Sequence, residues 1–197
     1  MDNLQLFQLL NAPADAGPAM LALARTLAAG LVWLVPPGLL LAWFRADDRD
    51  RGELLQVLLA VGTALALGQL VTWLWPQPRP FMLHLGHQYL AHAPDPGLPS
   101  DHVTLFWSLA LAALATRRYA VLGFPLLALG LVVGWSRVYL GVHFPYDVLA
   151  ALPVAAAGTA GAAALRRPLA PLRQALLRLG RQLDDGWRRA RRHRHGT

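Results

Sequence analysis

The chain has no cysteine and no lysine. The first absence excludes disulfides and thiolate chemistry, and it leaves either redox compartment open. The second makes all eighteen cationic side chains arginine, so each positive charge is a planar guanidinium fork and none is an ammonium point charge. Charge of any sign is scarce, at 15% of 197 residues, against 55% hydrophobic residues. That balance belongs to a chain whose long stretches face lipid. No basic residue precedes Arg25, so residues 1–11 do not read as a secretory signal peptide. There is no internal repeat and no second folded domain. The net charge of +7 would fit a nucleic-acid binder, but ten of the eighteen arginines lie in residues 166–194, outside the hydrophobic body. That tail has no aromatic interleaving beyond Trp187, so nucleic acid is not an expected partner.

What the chain does have is long apolar runs. A spanning helix needs about 20 mostly apolar residues, and residues 20–44, 54–75, 103–116, 119–136 and 148–165 come near that length. The third is short and can lengthen by taking in residues 99–102. Pro36 and Pro37 are expected to kink the first. The expected fold is therefore all-α, an integral membrane bundle of about five spans within residues 1–165, followed by a basic tail over 166–197. Arginine placement predicts its orientation. Arg45, Arg49 and Arg51 follow the first span, Arg117 and Arg118 follow the third, and the tail holds ten more, whereas the opposite connections carry Arg79 and Arg137 alone. The N-terminus is then outside and the tail cytoplasmic. Asp47, Asp48 and Asp50 dilute the charge of the first loop but weigh little in this rule. Two flanking segments read as interfacial: Leu4, Leu6, Phe7, Leu9 and Leu10 near the start, and Leu169, Leu172, Leu176, Leu179 and Leu183 between arginines of the tail. A solvated basic tail serving topology alone is the equal alternative for the latter.

The two outer arginines stand in unusual surroundings. One ends Trp75-Pro76-Gln77-Pro78-Arg79-Pro80-Phe81, ahead of Pro99-Ser100-Asp101-His102. The other begins Ser136-Arg137-Val138-Tyr139-Leu140-Gly141-Val142-His143-Phe144-Pro145-Tyr146-Asp147. All lie at helix ends on one expected side of the membrane. Phosphoryl transfer accounts for these residue types: guanidinium groups and a serine hydroxyl stabilise charge on phosphoryl oxygens, and a helix N-terminus adds amides. A neutral imidazole attacks phosphorus if its other nitrogen is held, which Asp147 can do for His143 across one helical turn. His102 can protonate the departing oxygen. Taken singly, each block has an ordinary structural reading; jointly and in this order, they point to a two-step reaction through a phosphohistidine.

The blocks resemble the signature of the type 2 phosphatidic acid phosphatase superfamily, which also includes vanadium haloperoxidases: Lys-x6-Arg-Pro, then Pro-Ser-Gly-His, then Ser-Arg-x5-His-x3-Asp. The resemblance spans residues 54–165. It implies that His143 is the nucleophile, His102 the acid and Asp147 the group that orients His143. It also implies that Arg79, Ser100, Ser136 and Arg137 hold phosphate. Two positions depart from the pattern. The family lysine falls at Thr72, which is left out of the site, and the family glycine is Asp101, placed to cap helix amides or to hold Arg79 or Arg137. Both departures look like the bacterial undecaprenyl-diphosphatases linked to bacitracin resistance. The resemblance thus implies a lipid diphosphate substrate, carrier-lipid recycling and a bacterial inner membrane, and the arginine placement expects the site on its extracytoplasmic side. No cofactor or metal is expected.

Other readings stay open. The substrate can be phosphatidylglycerol phosphate, phosphatidate or lipid A, or the enzyme a phosphotransferase between lipids, because apolar chain recognition leaves no motif. A non-enzymatic membrane scaffold or transporter subunit would leave the gathered histidine, serine and arginine without a reason. His84 and His87 have metal-ligand spacing but no carboxylate or cysteine nearby, and read as solvated. His92 shows no pattern. Tyr89 and Phe81 fit a lipid entrance or ordinary interfacial aromatics, and Gly141 fits a turn or a close approach to phosphate. His193 and His195 fall in a tail that reads as disordered.

Overall fold

A computed structural model describes residues 1–195, with side chains described through residue 185. The side chains of Trp187, His193, Arg194 and His195 lie outside the described residues. The regular elements among the described residues are all helices, with no strand. In order they form α1 (Asn3–Leu10), α2 (Pro18–Arg25), α3 (Val35–Arg45), α4 (Asp48–Leu74), α5 (Asp101–Leu114), α6 (Gly123–Tyr139), α7 (Pro145–Leu165) and α8 (Ala170–His195). Four continuous helices are long and apolar enough to cross a membrane: Pro18–Arg45, Asp48–Leu74, Ala120–Tyr139 and Pro145–Leu165. This is the architecture of a multi-pass membrane protein.

The expected third span differs in a way that packing explains. α5 begins at Asp101 and ends at Leu114, leaving Pro99 and Ser100 outside it. At 1.5 Å per residue it is about 21 Å long, short of the hydrocarbon thickness. It does not have to meet lipid along its length, because α4, α6 and α7 surround it and most of its side chains are buried. α4 and α7 make the broadest contact in the fold, with Gly158 against the backbone of Ala64 and Gly68 facing Val154, as expected where small residues let helix backbones approach closely in lipid.

In the first span, Pro36 and Pro37 cannot donate to the carbonyls of Val32 and Trp33. The ladder departs from α geometry just upstream of them, widening to a π stretch at Thr26–Gly30 and tightening to a 3-10 stretch at Leu31–Leu34. Asp47 caps α4 by accepting from the amide of Asp50 at 2.8 Å, and Asp48 and Asp50 sit in its positive first turn. The acidic residues that dilute this loop's charge are thus its helix start.

Both flanking segments fold as helices. Asp2 and Gln5 cap α1 reciprocally at 2.8 and 3.0 Å. α1 does more than lie at an interface: Phe7 is fully buried, edge-on to Phe144 with ring centroids 5.3 Å apart. The tail is helical as α8, where a disordered tail was the expectation for His193 and His195. It is fastened to the far end of the bundle by Arg51–Asp184 at 2.8 Å and Arg181–Asp48 at 2.6 Å.

Candidate active site

Three prolines, Pro76, Pro78 and Pro80, end α4 and forbid its continuation. The chain turns inward so that Arg79 is 95% buried, then runs through a long irregular loop to the start of α5. That loop is tied down at several points. Gly97 donates to the Gln77 carbonyl at 2.8 Å, and Tyr89 donates its hydroxyl to the Pro13 carbonyl at 2.7 Å. Asn11 accepts from the His87 amide at 2.7 Å and donates to the Tyr139 carbonyl at 3.1 Å. Ser100 donates its amide to the Asp147 carbonyl at 3.0 Å, which joins the start of α5 to the start of α7.

The third block owes its geometry to the entry of α7. Phe144 is the N-cap residue and Pro145 the first helical one. Asp147 Oδ2 accepts from the Phe144 amide at 2.8 Å and lies 3.2 Å from His143 Nδ1. A carboxylate against Nδ1 favours the tautomer that leaves Nε2 with a bare lone pair. Arg79 Nη1 stands 2.9 Å from that Nε2 and 3.0 Å from the Val142 carbonyl it donates to. His143 and Asp147 are almost completely buried. Burial, then the guanidinium groups of Arg137 and Arg79, and last His92 and His102, hold the His143 pKa well below the ordinary histidine value of 6.5. The ring is therefore neutral near neutral pH, the form that can attack.

Two buried polar atoms beside this pair have no partner: Ser100 Oγ and Arg137 Nε. Ser100 occupies the N-cap position of α5 but makes no capping bond with its side chain, and Arg137 uses Nη1 on the Ala28 carbonyl at 3.2 Å. Leaving such donors buried and unpaired costs about 1–3 kcal/mol each, a cost that an anion bound there would relieve. His102 lies half-buried in the first turn of α5.

Some expected site residues stand elsewhere in the hydrogen-bond scheme. Ser136 is buried, but its hydroxyl donates to the Val133 carbonyl at 2.7 Å, so its proton is not offered to a phosphate. Asp101 holds neither Arg79 nor Arg137; it accepts from Gln69 Nε2 at 3.1 and 3.2 Å, bracing α5 against α4. Thr72, at the family lysine's position, places its hydroxyl 2.9 Å from the Leu98 carbonyl and 3.0 Å from that of Gly68, tethering the loop before Ser100. Gly141 is a turn glycine: its φ is +78°, and a Cβ there would strike the His87 carbonyl.

Sequence reasoning missed three loop residues. Asp95 accepts from Arg79 Nε at 3.0 Å, and its own carbonyl accepts from the same nitrogen at 2.9 Å. His92 stands with its ring centroid 6.5 Å from that of His143. Gly97 passes so near that a Cβ would come within 3.0 Å of Asp147 Oδ2 and 3.1 Å of Arg79 Cγ. No periodicity marks these positions; only the path of the loop does. Among the described residues, no group of three or more His, Asp or Glu side chains is arranged to hold a metal ion.

A multi-pass helical bundle that buries a histidine–aspartate pair, two arginines and an unpaired serine at one end defines a family of membrane proteins. The chain belongs to the PAP2 superfamily, whose pattern matches residues 53–169. It is 40% identical to the Escherichia coli (strain K12) protein named putative undecaprenyl-diphosphatase YbjG, over 76% of this chain and 75% of that one. It is 36% identical to undecaprenyl-diphosphatase BcrC of Bacillus subtilis (strain 168), over 59% and 60%. A Bacillus licheniformis relative named bacitracin transport permease protein BcrC is 27% identical, over 75% and 72%. The crystal structure of Aquifex aeolicus LpxE has the same fold, with a TM-score of 0.67 and 21% identity, covering 81% of this chain and 93% of that one.

Proposed function

We propose that this chain hydrolyses undecaprenyl diphosphate to undecaprenyl phosphate and inorganic phosphate, at the outer face of a bacterial inner membrane. The observation that carries the reading is the His143–Asp147 pair, with Arg79 on the free ring nitrogen and Ser100 Oγ and Arg137 Nε buried without partners beside it. The names of the two relatives called undecaprenyl-diphosphatases support the choice of lipid.

In this reading the terminal phosphate enters between Arg79, Arg137 and Ser100. Arg79 transfers its Nη1 hydrogen bond from the ring to a phosphoryl oxygen, which frees Nε2 of His143. Nε2 then bonds to the terminal phosphorus, and the bridging P–O bond breaks with its electron pair leaving on undecaprenyl phosphate. His102 supplies a proton to that oxygen. Asp147 stabilises the cationic phosphohistidine. Water next attacks phosphorus, giving its proton to His102 and releasing phosphate and the neutral His143. The lipid chain descends between helices. An apolar cleft of about 290 Å³ lined by Leu31, Val35, Leu39, Phe106, Leu109 and Leu126 offers it room. The cleft contains none of the site residues, as befits a place for the chain and not the headgroup.

The test is turnover of a panel of lipid phosphates by the purified protein, with and without a chelator. Undecaprenyl diphosphate should be cleaved with the highest kcat/KM and chelation should leave that rate unchanged. Preference for phosphatidylglycerol phosphate or phosphatidate, or loss of activity in chelator restored by magnesium, would overturn the substrate or the metal-free chemistry respectively.

A further inference from the structure

The loop from Arg79 to Ser100 brings a second histidine–carboxylate pair to the site, one that none of the three motif blocks contains. His92 Nδ1 lies 3.1 Å from the Ala93 carbonyl and 3.4 Å from Asp95 Oδ1. The same Asp95 oxygen accepts from Arg79 Nε at 3.0 Å, so one carboxylate holds both a phosphate-cage arginine and this histidine. Both neighbours of Nδ1 are acceptors. The ring proton therefore sits on Nδ1, and Nε2 is the nitrogen left for a ligand. The rings of His92 and His143 meet edge to face at 76°. Their burial differs: the His92 side chain is 20% exposed and that of His143 2%. His143 is thus at the floor of the site, and His92 stands toward its mouth.

We propose that His92, held by Asp95, binds the second phosphate of a lipid diphosphate and makes the site selective for diphosphates over monophosphates. This rests on the reading of the site as a lipid diphosphate phosphatase. Attack requires the terminal phosphorus about 3–3.5 Å from His143 Nε2. With that phosphate on the floor among Arg79, Arg137 and Ser100, the inner phosphate lies on the more exposed side, where His92 stands. A monophosphate puts an ester oxygen and an apolar chain at that place, and neither gives His92 an anionic partner. The bond needs one proton between His92 Nε2 and a phosphate oxygen. A singly protonated diphosphate brings it, or the ring takes it from water on binding. Asp95 and the Ala93 carbonyl stay on Nδ1–H in both cases, so the ring does not turn away. Burial, helped by Arg79 and Arg137, keeps the unliganded ring below the ordinary histidine value and therefore neutral until an anion arrives.

The test measures kcat/KM of the full chain on an isoprenyl diphosphate and on the monophosphate of the same chain length. His92→Ala should lower the diphosphate value about 10- to 100-fold, the worth of one charge-assisted hydrogen bond, and leave the monophosphate value within about threefold. Inhibition by pyrophosphate should weaken in His92→Ala while inhibition by orthophosphate, which fills the floor alone, stays unchanged. Asp95→Ala should lower both substrates, because it also releases Arg79. Equal loss of both substrates in His92→Ala, or an unchanged pyrophosphate inhibition, overturns the assignment of His92 alone. A wild-type protein that cleaves neither lipid, or a His143→Ala variant that cleaves both, overturns the phosphatase reading and this proposal with it.

Discussion

In the proposed reaction His143 attacks phosphorus only while its Nε2 is unprotonated, and its surroundings favour that form. Its pKa is held below 6.5 by burial and by Arg137 and Arg79. The unfolded chain therefore binds a proton at this ring that the folded chain does not, once pH falls below that value. Stability that is intact above pH 6.5 is lost as pH drops toward the folded pKa, by up to about 1.4 kcal/mol per pH unit. The melting-temperature advantage of the wild type over His143→Ala should therefore shrink between about pH 7 and about pH 5. An advantage that grows on acidification would mean the ring is protonated in the fold. The two histidines should also separate by leaving group. His143→Ala should abolish the acid-labile phosphoenzyme with every substrate, a loss of about 10⁴-fold or more in turnover. His102→Ala should lose about 10²- to 10⁴-fold with a lipid substrate and recover partly with an activated aryl phosphate, which leaves without protonation. Equal recovery of both variants would show the roles wrongly assigned. At this scale the sequence was most informative where residues share a short segment: His143 and Asp147 are one helical turn apart and meet as their spacing predicts. It was least informative where a side chain chooses among partners. Nothing in the local sequence says that Ser136 donates back to Val133, or that Asp101 turns to Gln69 instead of an arginine.

Elements were legible by their hydropathy and less so by their ends. The apolar runs locate every spanning helix, because lipid imposes a length that water does not. α5 escapes that rule through its neighbours, and an enclosed helix cannot be told from a lipid-facing one by composition. The loop carrying His92, Asp95 and Gly97 was illegible for a different reason: its shape comes from contacts distant in sequence, such as Asn11 to His87 and Gly97 to Gln77. The partners of Arg51 were hidden in the same way. It counts as a topology arginine by position, yet it is 97% buried, donates to the Trp43 carbonyl at 3.1 Å, lies over the Trp43 ring and pairs with Asp184 of α8. Arg51→Ala should therefore detach α8 and cost about 1–3 kcal/mol, because it leaves Asp184 without this arginine and the Trp43 carbonyl without this donor. Thermal unfolding in detergent, and faster proteolysis within α8, would register it. A variant indistinguishable from wild type in both would show that Arg51 does not hold α8, leaving Arg181–Asp48 as its fastening.

For the whole molecule, the folded arrangement sorts the arginines into two kinds. Arg79 and Arg137 are buried at the site end, Arg79 against His143 and Arg137 on the Ala28 carbonyl, so they say little about which way the chain enters a membrane. Arg45, Arg49, Arg117, Arg118, Arg166 and Arg167 are exposed at the opposite end, where flanking charge sets orientation. The asymmetry is therefore sharper in three dimensions than along the sequence, with Arg25 the exposed arginine remaining toward the site end and occupied on the Tyr89 carbonyl at 2.9 Å. That favours a cytoplasmic α8 and a site that faces outward. The lack of cysteine makes this directly measurable, since any introduced thiol is the sole one in the protein. Ala93 and Arg117 are both exposed and lie at opposite ends of α5. In intact cells whose outer barrier has been removed, a membrane-impermeant thiol reagent should label Ala93→Cys at once. It should reach Arg117→Cys only after the membrane is opened. The reverse order would put His143 on the cytoplasmic side, where the enzyme would meet a different pool of lipid diphosphate and could not act on carrier lipid released at the outer face.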